Sequence, residues 1–221
     1  MTGSRPGAVV RVGDLDVRLV ERLPGRSATV FRGHTDRSDA EVVVKIASTS
    51  DRMLDRERVT LQALRGRGVP APRVLTHGLL ADGAREVRPC LVLAFLPGTA
   101  PATADGYRRM GRRLAELREH GLACTHLARL SATVLAQRHA AGVRQLADEL
   151  GPARTAWLAG LRVPVGALAL THGDPSPENF VDGPTGGAMI DFGAAVHAPT
   201  GLDLGRAWFT TQLCAGRAAS G

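Results

Sequence analysis

At 221 residues with 44% hydrophobic side chains, the chain suits one domain or two small lobes sharing a cleft, and is not a disordered or fibrous sequence. No apolar run approaches ~20 residues, and the opening MTGSRPGAVVRVGD lacks a secretory core, so a soluble, cytoplasmic protein with no membrane partner is expected. The formal charge of +7 comes from arginines scattered along a chain with only 4% aromatics, which argues against nucleic acid and fits an anionic small substrate. Cys90, Cys124 and Cys214 have no CxxC spacing and no metal-ligand spacing to a histidine, and read as reduced thiols.

The first third reads as strands. AVVRV, a turn at Gly13–Asp14 and LDVRLVERL form a predicted hairpin, with TVFRGH and EVVVKIA following across a polar turn at 35–40. Residues 50–66 switch to helical spacing: Met53, Leu54, Leu61 and Leu64 share a side, and Ser50 is a candidate N-cap. Pro70 and Pro72 end that helix and a strand follows. CLVLAFL, residues 90–96, is an apolar run of strand length, and PGTAPATADG is the connector where a lobe boundary is expected. Beyond it, Tyr107, Met110, Leu114 and Leu117 recur at helical spacing. A helix or helix pair is expected through 126–150, with Leu127, Leu130, Val134, Val143, Leu146 and Leu150 as its packing face. After VPVGALALTHGD, short strands and loops lead to a last helix through LDLGRAWFTTQL.

Two residues stand out against this arginine- and alanine-rich background. Lys45, inside a β-branched run, is the sole lysine, and Asn179, in HGDPSPENF, is the sole asparagine. An ammonium is a compact point charge and a guanidinium a broad planar fork, so the two are not interchangeable in a narrow site. Asn179 lies five residues after Asp174 and twelve before Asp191. The intervening FVDGPTGGAMI reads as two short strands around a glycine-rich turn, which folds Asp191 back beside Asn179. An amide oxygen and a carboxylate held together there can ligate Mg2+, a hard cation that takes oxygen donors. Asp174, at the start of the loop, would face a hydroxyl that attacks the γ-phosphate of ATP.

The set D-x-x-x-x-N followed by DFG resembles the catalytic core of the protein-kinase-like superfamily. Its local form, HGDPSPENFV with IDFG, is similar to the aminoglycoside phosphotransferase and choline-kinase-like branch, and the resemblance runs over about residues 15–210. It implies an α+β, bilobal fold: residues 1–96 an N-lobe with an antiparallel sheet and one helix, residues 97–221 a mainly helical C-lobe that reads as shortened. It also implies that Lys45 reaches the α/β-phosphates of ATP and that Glu57 pairs with it. By the same resemblance, Asn179 and Asp191 would hold Mg2+, and Asp174 would serve as the acceptor-facing base. PGRSATVF, with Gly25, Ser27 and Ala28, would cover the phosphates, and adenine would meet backbone groups near Ala94 and Leu96. His172 is expected to pack and hydrogen-bond, and Asp203 resembles the aspartate that braces the catalytic loop.

The expected activity is therefore ATP- and Mg2+-dependent transfer of a phosphoryl group to a hydroxyl of a small molecule. A peptide or protein Ser/Thr kinase and a nucleotide-binding pseudokinase scaffold are the alternatives. Only twenty-eight residues follow the DFG motif, so the C-lobe is expected to be naturally compact, truncated, or completed by a protein or peptide partner. Segment 101–160 carries nine arginines against five acidic residues, so a neutral or anionic acceptor is expected over a polycationic one.

Overall fold

The computed structural model describes residues 5–25, 28–36, 38–47, 52–82, 86–120, 127–161, 166–184, 186–199 and 201–219. The N-terminal part is a six-stranded antiparallel sheet of β1 (Val9–Val12), β2 (Leu15–Leu23), β3 (Ala28–Thr35), β4 (Glu41–Ala47), β5 (Val74–Asp82) and β6 (Glu86–Ala94), in the order β1-β2-β3-β4-β6-β5. The two-residue periodicity of a strand decides what each face holds. Val42, Val44 and Ile46 point to one side and are fully buried with Val17, Leu19 and Phe31. Val43 and Lys45 point to the other side, toward the single helix of this part, α1 (Met53–Arg65). Leu54, Leu61 and Leu64 of α1 are buried against the same side, as the helical spacing predicts. Ser50 lies outside the described residues; Arg52 precedes the helix and makes no side-chain cap.

The remainder is mainly helical. Of the stripe read from the sequence, α2 (Ala104–His120) buries Met110, Leu114 and Leu117, while Tyr107 is half-buried. These join Leu61, Leu91, Phe180, Met189 and Phe192 in one apolar cluster that spans the sheet and the helical part. Leu127 and Leu130 are buried but precede the next helix, in a segment bonded to residue 197 through Leu130 N–H to His197 O at 2.7 Å. α3 (Ala132–Ala159) begins after Ser131, whose hydroxyl accepts Val134 N–H as an N-cap, and it breaks at Gly151, where φ is 73°. The expected helix over 126–150 thus starts later and continues past a kink. Its packing face is narrower than expected, because Val143 is buried while Leu146 is exposed.

Four short strands and α4 (Gly201–Ala219) follow. β7 (Leu168–Thr171) pairs antiparallel with β10 (Val196–Pro199), and β8 (Phe180–Val181) pairs with β9 (Ala188–Met189). The connector after β6 is stitched to this region: Thr99 and Asp182 exchange backbone hydrogen bonds at 3.3 and 2.7 Å. Arg109 of α2 adds a two-pronged ion pair to the Asp182 carboxylate at 2.7 and 2.6 Å. The segments expected to carry chemistry are held from both sides. No helix among the described residues is long and apolar enough to cross a membrane.

Candidate active site

The strand alternation that turns Lys45 away from the β-core aims it at α1. Its Nζ donates to Glu57 Oε1 at 2.7 Å, to Glu57 Oε2 at 2.9 Å and to Asp191 Oδ1 at 3.1 Å. Lys45 and Glu57 are buried, while the Asp191 side chain is 44% exposed. Burial works against the Lys45 charge, but Glu57 and Asp191 outweigh it and hold the ammonium above the usual lysine range. Burial pushes the Glu57 carboxyl up, opposed by Lys45 and by the Phe192 N–H. Two carboxylates meet one ammonium here, and the half-exposed Asp191 side chain is the one open to a further cation.

Asp191 is reached through the β8–β9 hairpin. Phe180 stands opposite Met189, and Ile190 N–H donates to Asn179 O at 2.9 Å, which brings Asp191 beside Asn179. Asp191 sits in the left-handed region, with φ 65° and ψ 65°. Such a conformation costs an L-residue about 1–2 kcal/mol, and aspartate is among the side chains that tolerate it. Asn179 Nδ2 donates to Asp174 O at 2.8 Å, which leaves the amide oxygen for another partner. An amide oxygen and a half-exposed carboxylate suit Mg2+, which binds few protein oxygens and completes its shell with water and substrate phosphate. Helix α1 is tied to the same segment by Arg56 Nη1, which donates to Gly193 O at 3.2 Å.

Asp174 follows β7 in a turn whose backbone is fixed by buried groups. Asp203, on α4, accepts His172 N–H at 2.6 Å and Gly173 N–H at 3.0 Å. Burial pushes the Asp203 carboxyl up, against the downward pull of these two amides. The fully buried His172 donates Nε2–H to Ile190 O at 2.7 Å and accepts Asp174 N–H at Nδ1, 3.3 Å away. This pattern assigns the neutral Nε2–H tautomer, and burial holds the imidazole pKa below the usual histidine value. Its ring lies against Phe192, centroids 4.7 Å apart. Gly173 has φ 80°, and a Cβ there would lie 2.1 Å from Ala194 O, so no side chain fits between histidine and aspartate.

The residues expected to meet the nucleotide are placed less uniformly. Ala28 opens β3 and packs against the apolar cluster beneath the sheet. Gly25 ends the described part of the β2–β3 turn, where a Cβ would lie 2.5 Å from Ala28 O; Ser27 lies outside the described residues. The strand expected over 90–96 runs instead from Glu86 to Ala94, and Leu96 falls in the connector beyond it. Ala94 N–H is taken by Arg73 O at 2.8 Å and Phe95 N–H by Glu41 O at 3.2 Å. Ala94 therefore cannot donate its amide to adenine. The Leu96 amide has no partner among the described residues.

One contact was not legible in the sequence. Arg206 of α4 pairs through Nη2 with Asp174 Oδ1 at 2.7 Å and donates Nη1–H to Gly173 O at 3.0 Å. It lies three residues after Asp203, on the same helical face. In a chain this rich in arginine, no local signal set it apart.

An antiparallel sheet with one helix, joined to a helical part through this loop and hairpin, defines a protein-kinase-like phosphotransferase fold. The chain matches the model of the phosphotransferase enzyme family over residues 19–220, and it belongs to that family. A search of curated proteins finds no match. Among solved structures, it is similar to an amicoumacin kinase in complex with AMP-PNP, Ca2+ and Ami, at 16% identity and a TM-score of 0.58, covering 86% of this chain and 63% of that one. A choline/ethanolamine kinase family protein from Mesorhizobium loti aligns at 22% identity and a TM-score of 0.56, over 90% of this chain and 65% of that one. A spectinomycin phosphotransferase in complex with ADP and spectinomycin aligns at 11% identity and a TM-score of 0.57, over 86% and 67%. The chain spans about two thirds of the length of these structures.

Proposed function

We propose that the protein transfers the γ-phosphoryl group of ATP to a hydroxyl of a small molecule, with Mg2+. The observation that carries this reading is the meeting of Lys45, Glu57 and Asp191 at one ammonium, with Asn179 and Asp174 on the loop beside it. Asn179 and Asp191 would hold the metal, which would supply charge neutralisation at the phosphates. Lys45 uses its three protons on carboxylate oxygens. A phosphate oxygen that takes one of them displaces Asp191 Oδ1 and frees that carboxylate for the metal. Asp174 orients the acceptor and takes its proton. The hydroxyl oxygen forms a bond to the γ-phosphorus while the bond to the β–γ bridging oxygen breaks, and ADP leaves with the electron pair. In such a loose transfer, the chain contributes mainly positioning and charge neutralisation. Adenine would meet the backbone amide of Leu96, and the segment between Gly25 and Ala28 would cover the phosphates.

The relatives support a small-molecule acceptor: those named above are an amicoumacin kinase, a spectinomycin phosphotransferase and a choline/ethanolamine kinase family protein, and the first is in complex with AMP-PNP and Ca2+. The test is product formation from labelled ATP, with and without Mg2+, across a panel of alcohols. Labelled product that requires both metal and acceptor is the expected result. Metal-independent turnover, or no transfer to any alcohol, would contradict it.

A further inference from the structure

The acceptor side of the site is set by a cation that the reaction scheme does not use. One turn of α4 grips the catalytic loop through two side chains. Asp203 takes the amides of His172 and Gly173, and Arg206 takes the Gly173 carbonyl and the Asp174 carboxylate. The guanidinium holds Oδ1, so Oδ2 is the Asp174 oxygen left for an acceptor proton. The Arg206 side chain is 51% exposed, so N–H groups not used on Gly173 and Asp174 remain open to solvent beside the carboxylate. The pair Asp174–Arg206 has no net charge. An acceptor hydroxyl that reaches Asp174 therefore approaches a guanidinium and not an isolated anion.

Three of the nine arginines of segment 101–160 are already engaged elsewhere. Arg108 pairs with Asp105, Arg109 with Asp182, and Arg113 with Glu116 and the carbonyls of Gly186 and Gly187. The cation placed against Asp174 is Arg206, which lies outside that segment.

We propose that Arg206 selects the acceptor by charge, favouring alcohols with a carboxylate or phosphate near the hydroxyl and turning away those with an ammonium there. This rests on the phosphotransferase reading of Asp174. A guanidinium offers paired N–H donors to such an anion, and an acceptor ammonium would meet it as a like charge.

The test uses alcohols of matched size and different charge: ethanolamine, ethylene glycol and glycolate, then serinol, glycerol and glycerate. The expected order of kcat/KM is anionic, neutral, cationic. In Arg206→Gln the anionic members should fall by about tenfold, the scale of one solvent-screened charge pair, mainly through KM. Arg206→Lys should keep part of the preference. Stabilisation by Mg-ATP serves as the folding control. An order unchanged by Arg206→Gln, no order at all, or a cationic member that leads would overturn the inference. If no alcohol is phosphorylated, the phosphotransferase reading falls. The inference about Arg206 is then decided by ranking the same compounds as stabilisers of the protein bound to Mg-AMP-PNP, where an anionic preference lost in Arg206→Gln supports it and any other ranking overturns it.

Discussion

Lys45 Nζ and Asp191 Oδ1 lie 3.1 Å apart across 146 residues of sequence, and the same ammonium holds Glu57 at 2.7 Å. Three segments are closed by one compact cation. A guanidinium in that place is broader and planar and cannot make three short contacts from one atom. Lys45→Arg should therefore lower kcat/KM for ATP by about 10²-fold, the scale of losing one donor to a developing charge. Steady-state kinetics, with a thermal melt to show retained folding, checks this.

Much of the fold and part of the site were legible before any coordinates. The strands and α1 carry clean periodicities of two and 3.6, and the hairpin between Asn179 and Asp191 follows from its glycine-rich turn. The expected helix ends at residue 150, where the Gly151–Pro152 break falls; its continuation to Ala159 was not legible, because a Gly-Pro pair reads as an end. The strand boundary at Ala94 is set by Arg73 O, a contact made by folding, and the apolar run through Leu96 hides it. Arg206 was invisible for a different reason. Its role comes from its place one turn after Asp203, and nothing in its identity marks it.

Gly173 is a position where no side chain fits. Gly173→Ala should cost about 1–3 kcal/mol for its backbone conformation alone, and more for the contact with Ala194 O. Gly205, in the interior of α4 with open space at its Cβ, is the control: Gly205→Ala should be neutral or stabilising by about 0.5–1 kcal/mol. Urea denaturation of both variants measures the contrast, and equal midpoints would show that the loop adapts.

Burial of neutral His172 should weaken the fold on the acid side. Its folded pKa lies below the unfolded value of about 6.5, so below that pH the unfolded chain binds more protons than the folded one. The stabilising contribution is fully present above about pH 6.5 and is lost as pH falls toward the folded pKa. His172→Gln should be less stable near neutrality and should lose this part of the acid slope. Denaturant titrations from pH 8 to pH 5 on both proteins check it; parallel slopes would mean that His172 does not cause this loss.

Cys90 is buried in the sheet, and burial pushes its thiol pKa up to about 12. The thiolate is the reactive form, so this cysteine should resist alkylation in the native state and react once the chain is unfolded. Mass-resolved labelling with iodoacetamide, with and without urea, reads this by peptide. Rapid native labelling at Cys90 would mean that β6 opens readily.

In the proposed mechanism Asp174 faces the acceptor, while Lys45, Asn179 and Asp191 hold the nucleotide and its metal. The most direct measurement compares Asp174→Asn with the parent for both phosphoryl transfer to an alcohol and binding of Mg-ATP. Removing general-base assistance typically costs about 10²–10⁴-fold. A loss of that size with Mg-ATP affinity retained is the expected result. Transfer within a few-fold of the parent, or loss of Mg-ATP binding together with transfer, would contradict the assignment.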